Sequence, residues 1–245
     1  MTSSVHRPVR LVTYNVHSCR GGDRRLSPDR ILSVIRALEP QVVALQEIDR
    51  LQYAEYFGEK LGMQMYFVAA REHSGGLSYG NVLLSALPSE LVRAGGLPRL
   101  HSGTEARAAQ WVRIATDFGP LDVVNTHLGL IHDERMLQAE CLLGSDWLGG
   151  DVVSKHAVLC GDLNVRPGTS VYARLCRNLL DAQLRLRRPK PTFPALFPVV
   201  RIDHVLSSPT LSVARVDVPS AFGARWASDH RPLVVDLNSR IESPS

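Results

Sequence analysis

The stretch 157–168, AVLCGDLNVRPG, holds the residues best suited to carry out chemistry. Residues 157–160 form a short apolar run typical of a buried strand, and Gly161 ends that run. Asp162 and Asn164 follow with one residue between them, and such residues point to the same side of an extended backbone. This pair would place a proton acceptor beside a hydrogen-bond donor. The same two side chains could instead bond only to local backbone amides in a turn.

Other polar side chains also stand where predicted strands end. Residues 9–16 are rich in β-branched side chains and carry Asn15, and the apolar run 41–46 is followed by Glu47. The full set of strand-end polar residues is Asn15, Glu47, His127, Asp162, Asn164, Asp203, Asp229 and His230. They occur in the motifs YNVH, LQE, NTHLG, GDLN, RIDH and SDH. Each motif alone is weak, whereas six of them at strand ends predict one shared site.

Hydrophobic periodicity predicts the elements that position these residues. Helices are predicted at 28–39, 53–61, 131–148 and 170–180. Strands are predicted at 9–16, 41–46, 64–70, 81–87, 108–116, 121–126, 157–160, 201–207, 211–218 and 231–237, with loops at 73–80 and 185–198. Several strands follow one another without helices, which favours two packed sheets with helices outside. Without repeats or linkers, we expect a single domain over 1–245 with a core at about 9–237.

Composition narrows the class of protein. The chain has 245 residues, 44% of them hydrophobic and 21% charged, which is ordinary for a globular protein. Its net charge of +4 suits an anionic substrate but is too mild to indicate nucleic-acid binding. The four cysteines lack C-x-x-C spacing, so we expect neither a zinc site nor a disulfide framework. Without an apolar leader segment, we expect a cytoplasmic monomer with no stable membrane insertion.

The six motifs, in this order, resemble the endonuclease/exonuclease/phosphatase superfamily, which includes DNase I, abasic-site endonucleases, sphingomyelinases and inositol-polyphosphate phosphatases. The resemblance runs from about residue 9 to residue 236 and is to the small stand-alone bacterial type. It implies a DNase I-like, four-layered α/β/β/α sandwich of two mixed sheets flanked by helices. It also implies hydrolysis of phosphoesters with a divalent cation, Mg²⁺ in most members and Mn²⁺ as an alternative.

The resemblance also assigns roles by motif. The implied metal ligands are Glu47, Asn15 and Asp229. The implied catalytic residues are Asp162, Asn164, His230, Asp203 and His127. In this assignment Asp162 and Asn164 activate the attacking water, while His230 and His127 contact the phosphate. Pairing Asp203 with His230 also has a physical reason, because a carboxylate fixes the tautomer of an imidazole and favours its charged form.

Some positions and the substrate stay open at this point. His17 stands where abasic-site endonucleases carry an acidic residue, so it either suits a softer ion such as Mn²⁺ or only packs in its loop. Tyr79 and Asn81 have either supporting or structural roles, and Arg107 either reaches a phosphate or is an exposed loop residue. The substrate is a phospholipid head group, a small phosphodiester or a nucleic acid. A phosphodiesterase is the first hypothesis, a DNA or RNA nuclease the second, and a catalytically silent binding module on the same fold the third.

Overall fold

Apolar runs rich in Val, Leu and Ile form most of the strands in the computed structural model, which describes residues 7–73, 77–221 and 223–240. The strands are β1 Val9–Asn15, β2 Val42–Ile48, β3 Gln64–His73, β4 Leu77–Ser85, β5 Ser89–Gly96, β6 Ala108–Thr116, β7 Gly119–His127, β8 His156–Asp162, β9 Leu180–Asp181, β10 Asp203–Ser207, β11 Leu211–Asp217 and β12 Leu233–Ser239. The α-helices are α1 Pro28–Leu38, α2 Leu51–Leu61, α3 His132–Leu143, α4 Ser170–Leu175 and α5 Ala224–Ala227. Short 3₁₀ helices cover His17–Cys19 and Ala182–Arg185.

The strands form two six-stranded sheets. The first has the order β11-β12-β1-β2-β4-β3, and the second has the order β5-β6-β7-β8-β10-β9. Each sheet contains one parallel pair near its centre, β1 with β2 and β7 with β8. Helix α1 connects the first pair and α3 connects the second. The carboxyl ends of these four strands lie at the same end of the molecule, since Asn15 at the end of β1 contacts Asp162 at the end of β8.

Three apolar clusters show how the layers pack. Leu11 and Ala44 of the first sheet meet Val123 and Val158 of the second in the cluster between the sheets. The outer face of the first sheet packs against α1 and α2, and that of the second packs against α3 and α4. The order of layers is therefore helix, sheet, sheet, helix. The predicted α/β/β/α sandwich of two mixed sheets is confirmed.

Several element boundaries differ from those predicted. The loop expected at 73–80 is largely strand, since β3 runs to His73 and β4 begins at Leu77, while residues 74–76 lie outside the described part. Helix α3 ends at Leu143 because Gly144 leaves the helical conformation. Helix α4 ends at Leu175, five residues earlier than predicted. Strand β5 is absent from the predicted elements, because its residues are mostly exposed and show no buried alternation.

No helix within the described ranges is both long enough and apolar enough to cross a membrane.

Gly161 provides a test of how tightly the second sheet is built. A Cβ atom there would lie 1.8 Å from the carbonyl oxygen of Thr126, and its φ of +139° is a conformation that favours glycine. We expect Gly161→Ala to lower the free energy of unfolding by about 3 kcal/mol or more, through steric clash and backbone strain. Urea denaturation measures this loss. Gly95→Ala on β5 is the control, since its Cβ would meet nothing within 4 Å; equal effects of the two variants would contradict the prediction.

Candidate active site

A cavity of about 640 Å³ opens where β1, β2, β7 and β8 end and β10 begins. Five of the eight predicted site residues line it: Glu47, His127, Asp162, Asn164 and His230. The other three, Asn15, Asp203 and Asp229, interact with those five from behind or beside the cavity. The structure thus brings all eight strand-end residues together, as the sequence predicts.

Asn15 links the two carboxylates at the base of the cavity. Its Nδ2 donates to Glu47 Oε1 at 2.8 Å and to Asp162 Oδ2 at 3.0 Å. Its Oδ1 accepts from the backbone N–H of His17 at 3.0 Å, which fixes the orientation of the amide. Glu47 sits at an irregularity in the pairing of β2 with β4 and has a φ of +60°. The bulge aims its side chain out of the regular strand pattern.

Asp162 and Asn164 lie close together because of a turn, and not because of the extended backbone that the sequence predicts. Asn164 has a φ of +51°, and its N–H donates to Asp162 Oδ1 at 3.0 Å, which closes a tight local turn. Its Nδ2 donates to the carbonyl of Leu128 at 3.0 Å and lies 3.1 Å from His127 Nε2. The local turn and the shared site are therefore both present, and the expectation of strand-like alternation was wrong.

His230 is held by a buried carboxylate. Its Nδ1 lies 2.8 Å from Asp203 Oδ2, and the hydroxyl of Thr192 donates to the same oxygen at 2.5 Å. Since the carboxylate only accepts, Nδ1 carries a proton and donates it. His230 Nε2 then faces Asp162 Oδ2 at 3.5 Å. The predicted Asp203–His230 pair is present in the structure.

The partner of His127 is a positively charged side chain, whereas that of His230 is a carboxylate. Arg107 Nη1 lies 2.9 Å from His127 Nδ1, and because a guanidinium only donates, Nδ1 accepts. In the neutral ring the proton is then on Nε2, which lies 3.5 Å from Asp162 Oδ2. The 3.1 Å approach of Asn164 Nδ2 to this protonated nitrogen is therefore a contact and not a hydrogen bond. Arg107 is only 3% exposed and pairs with Glu105 at 2.8 Å. The interpretation of Arg107 as an exposed loop residue was wrong, and its position before β6 gave no signal of this burial.

These contacts shift the pKa values of the two histidines in opposite directions. Burial lowers the pKa of His127, and the positive charge of Arg107 lowers it further. Burial also opposes charging of His230, but the carboxylate of Asp203, with smaller contributions from Asp162 and Asp229, outweighs it and raises the pKa of His230 to about 10. Burial raises the pKa of Asp162, with the charge of Asp203 adding to the effect. Burial, and to a lesser extent the charge of Asp229, raises the pKa of Glu47.

Three residues whose roles the sequence left open lie partly in the site and partly in the core between the sheets. Tyr79 and His17 line the cavity, and His17 Nδ1 lies 3.8 Å from Asp229 Oδ1 at its partly exposed rim. Asn81 does not line it, because its amide donates to the carbonyl of Ala108 at 2.8 Å between the sheets. Asn81 is therefore structural.

The donor set suits a hard divalent cation. Among the described residues, ligand atoms of Glu47, His127 and Asp162 lie within 4.8 Å of one another, as do those of Asp162, Asp203 and His230. Burial raises the pKa values of both Glu47 and Asp162, so a bound cation would favour the charged form of these carboxylates. Carboxylate oxygens are what Mg²⁺ and Mn²⁺ prefer. Asp229, a predicted ligand, belongs to neither group of atoms.

Comparison with known proteins places the chain in a family. The sequence model of the Endonuclease/Exonuclease/phosphatase family matches residues 12–230. The chain belongs to this family. Members of the family generally hydrolyse phosphoester bonds.

Individual relatives of the family are distant in sequence and similar in fold. The chain is 23% identical to "Uncharacterized protein YbhP" of Escherichia coli strain K12, over 94% of this chain and 96% of that protein. A family protein from Bacteroides thetaiotaomicron has a TM-score of 0.79 at 20% identity, covering 97% of this chain and all of that one. The Bacteroides thetaiotaomicron VPI-5482 mannosyl-6-phosphatase Bt3783 has a TM-score of 0.76 at 19% identity, covering 94% and 99%. These structural likenesses support the DNase I-like fold.

Sequence reasoning missed a buried polar network beneath the site. Gln46 Nε2 donates to Asn125 Oδ1 at 2.8 Å, and the Asn125 amide donates to the backbone carbonyls of Leu45 and Val82. These bonds join β7 of the second sheet to β2 and β4 of the first. A polar residue within each of the apolar runs 41–46 and 121–126 was the available signal.

The two histidines should titrate far apart in the metal-free protein. We expect NMR to show His230 still charged at about pH 8, with His127 neutral, because their buried partners have opposite charges. His230 binds its proton more tightly when folded, so this pair stabilises the fold below its ordinary pKa of about 6.5. That contribution is lost as the pH rises toward about 10. In Asp203→Asn the largest contribution that opposes burial is removed, so the His230 pKa should fall, although Asp162 and Asp229 still favour the charged ring. In the unsubstituted protein, two histidines that titrate together near their ordinary pKa would contradict the opposite roles of Asp203 and Arg107.

Proposed function

We propose that this protein is a divalent-metal-dependent phosphoester hydrolase, specifically a phosphodiesterase that uses a water activated by the metal and by Asp162. The observation that carries the proposal is the placement of the buried Asp162 carboxylate. Its Oδ2 lies 3.5 Å from the Nε2 atoms of both His127 and His230, within a cavity that also exposes Glu47. Together these groups can catalyse phosphoester hydrolysis, because they provide a base for the attacking water, two imidazole donors for the phosphate and a carboxylate that can bind a metal ion.

Asp162 is the proposed general base. Burial favours its uptake of a proton, so its carboxylate is a stronger base than an exposed one. Asn164, held by Leu128, presents an amide beside the same space and would orient the attacking water. The turn hydrogen bond from the Asn164 N–H occupies Asp162 Oδ1 and leaves Oδ2 directed at the histidines. Oδ2 is thus the carboxylate oxygen placed to take the proton of the attacking water.

His230 and His127 have different proposed tasks. His230, charged through Asp203, would place a positive Nε2–H against the phosphate where negative charge develops. His127 is neutral and would donate one Nε2–H bond without adding charge. The acid role therefore belongs to His230, since only it holds an additional proton to release.

Glu47 is the proposed principal metal ligand, with Asn15 and Asp229 beside it. When bound, a divalent cation would polarise the phosphoryl oxygen and stabilise the charge of the transition state. The carboxylate of Glu47 reaches the cavity, while Asn15 holds it by a hydrogen bond at 2.8 Å. Oxygen donors favour Mg²⁺, and His17 at the rim leaves Mn²⁺ as an alternative.

For the substrate, we propose only a chemical class of phosphoester. One structural neighbour is a mannosyl-6-phosphatase, so the fold supports hydrolysis of a small phosphorylated sugar in that protein. Exposed arginines at 185, 187 and 188 supply the feature that favours a nuclease as the second candidate. A silent binding module would require an incomplete site, whereas all eight predicted residues converge here.

The base assignment and the activity are tested together. We expect the protein to hydrolyse a generic aryl phosphodiester with Mg²⁺ or Mn²⁺, and Asp162→Asn to lower kcat about 100-fold or more, because an amide cannot accept the proton. Plasmid DNA, RNA and phospholipid assayed in parallel would identify the ester class. Asp117→Asn, in the exposed turn before β7, should behave as wild type. Full activity of Asp162→Asn would assign the base elsewhere, and inactivity on every ester would favour the binding module.

Glu47→Ala should abolish metal binding while the protein stays folded. The variant leaves the cation one anionic ligand short and relieves the repulsion between Glu47 and Asp229. Isothermal titration with Mg²⁺ and Mn²⁺ measures affinity, and thermal unfolding measures the fold. Glu90→Ala, on β5 at the far end of the sheet, is the matched control. Unchanged metal affinity in Glu47→Ala would place the ion elsewhere.

A further inference from the structure

His204 is a fully buried histidine for which the proposed reaction has no use. It stands next to Asp203 in the motif RIDH, and neighbouring side chains point to opposite sides of a strand. Asp203 contacts His230, whereas the ring of His204 lies 5.5 Å from the ring of Tyr172 on α4. Burying an imidazole is costly unless its polar atoms find partners, so the partners of His204 indicate its role.

One ring nitrogen of His204 is bonded to the turn that carries Asn164. Its Nε2 lies 2.9 Å from the backbone carbonyl of Val165, and because a carbonyl oxygen only accepts, Nε2 carries a proton and donates it. On the other side of Asn164, the N–H of Leu163 donates to the carbonyl of Ile202 at 3.0 Å. Two residues of one segment, Ile202 and His204, therefore hold both chain neighbours of Asn164.

The other ring nitrogen of His204 faces a buried carboxylate, since its Nδ1 lies 3.5 Å from Asp181 Oδ2. The same oxygen accepts from Arg201 Nη1 at 2.5 Å and from the hydroxyl of Tyr172 at 2.8 Å. Burial alone would raise the pKa of Asp181, but His204 and Arg201 outweigh it and hold that pKa well below its usual range. The ring of His204 is therefore held between a charged carboxylate and the carbonyl of the turn.

The turn needs such support because the backbone of Asn164 is in an unfavourable conformation. Its φ of +51° lies in the left-handed region, which a residue other than glycine keeps only when the surrounding structure holds it there. The N–H of Asn164 also occupies Asp162 Oδ1, so the turn sets the direction of Asp162 Oδ2. Movement of the turn would displace both the proposed base and the amide beside it, and a displacement of about 1 Å can cost about 100-fold in rate.

We propose that His204 is a positioning residue, whose Nε2–H fixes the turn that places Asn164 beside Asp162. His204 does not line the cavity, so it acts on the reaction through Asn164 and not by touching the ester. Asp181 sets the orientation of the His204 ring from behind. The effect on catalysis rests on the proposed function, whereas the hold on the turn does not.

Steady-state kinetics of the full chain with a generic aryl phosphodiester and Mg²⁺ or Mn²⁺ test the effect on catalysis. His204→Phe keeps a ring against Tyr172 but removes the donor, so we expect kcat to fall about tenfold while KM changes little. His204→Gln should restore most of kcat, because its amide can donate to the same carbonyl. His156→Phe is the matched control and should keep kcat, since His156 is equally buried but begins β8, at the end away from the site. Thermal unfolding of each variant ensures that all are assayed folded.

A double-variant cycle tests whether His204 acts through Asn164. Asn164→Ala alone should lower kcat, and adding His204→Phe should then lower it little further, because residues that act as a unit are not additive. The proposal is overturned if the two losses multiply, if His204→Phe keeps full activity, or if His204→Gln is as impaired as His204→Phe.

Hydrogen–deuterium exchange tests the hold on the turn without turnover. In His204→Phe, the backbone amides of residues 162–166 should exchange about fivefold faster or more, because the turn has lost a buried hydrogen bond. In His204→Gln and His156→Phe, the same segment should exchange as in the unsubstituted protein. Unchanged exchange in His204→Phe would overturn the proposal. This comparison holds even if no ester is hydrolysed, so failure of the proposed function and failure of this inference are distinguishable.

Discussion

One carboxamide holds the carboxylates of the two sheets together. Asn15 belongs to β1 in the first sheet, and its Nδ2 donates both to Glu47 on β2 and to Asp162 on β8 in the second sheet. Two neighbouring carboxylates repel each other, and a shared donor reduces that repulsion without adding a charge. Beneath it, Gln46 and Asn125 join the same sheets by a second amide contact. The position of one sheet against the other thereby sets the distance between the proposed metal ligand and the proposed base.

Two histidines in one cavity acquire different properties from their buried partners. Asp203 keeps a proton on His230, while Arg107 forces Nδ1 of His127 to accept. Both partners lie behind the rings, so both Nε2 atoms face Asp162 Oδ2 at the same distance of 3.5 Å. The cavity consequently offers one charged and one neutral donor with similar geometry. This difference comes from the residues behind the cavity and not from the imidazoles themselves.

The layered fold and the set of residues that line or support the cavity could be predicted from the sequence. Both follow from the order of predicted strands and helices and from the polar motifs at strand ends. Strand-end polar residues such as Glu47 and Asp162 meet wherever the carboxyl ends of parallel strands meet. The features that the sequence did not predict depend on contacts between residues that are distant along the chain. The burial of Arg107 depends on His127 and Glu105, and the exposed strand β5 depends on pairing with β6. The left-handed conformation of Asn164 depends instead on a local hydrogen bond from its N–H to Asp162, which hydrophobic periodicity does not encode.

The balance of charge around the cavity explains why a cation and an anionic substrate would bind together. Asp203 is matched by the charged His230, and Arg107 is matched by Glu105. Glu47 and Asp162 share the neutral amide of Asn15, Asp162 also lies 3.5 Å from His230 Nε2, and Asp229 has His17 at 3.8 Å. A phosphate entering alone would meet these carboxylates at short range in a partly desolvated cavity, where repulsion is strong. A divalent cation beside Glu47, as proposed, would reverse the sign of that interaction. In the proposed hydrolase, the affinity for an anionic ester would therefore depend on the cation even before any bond is broken.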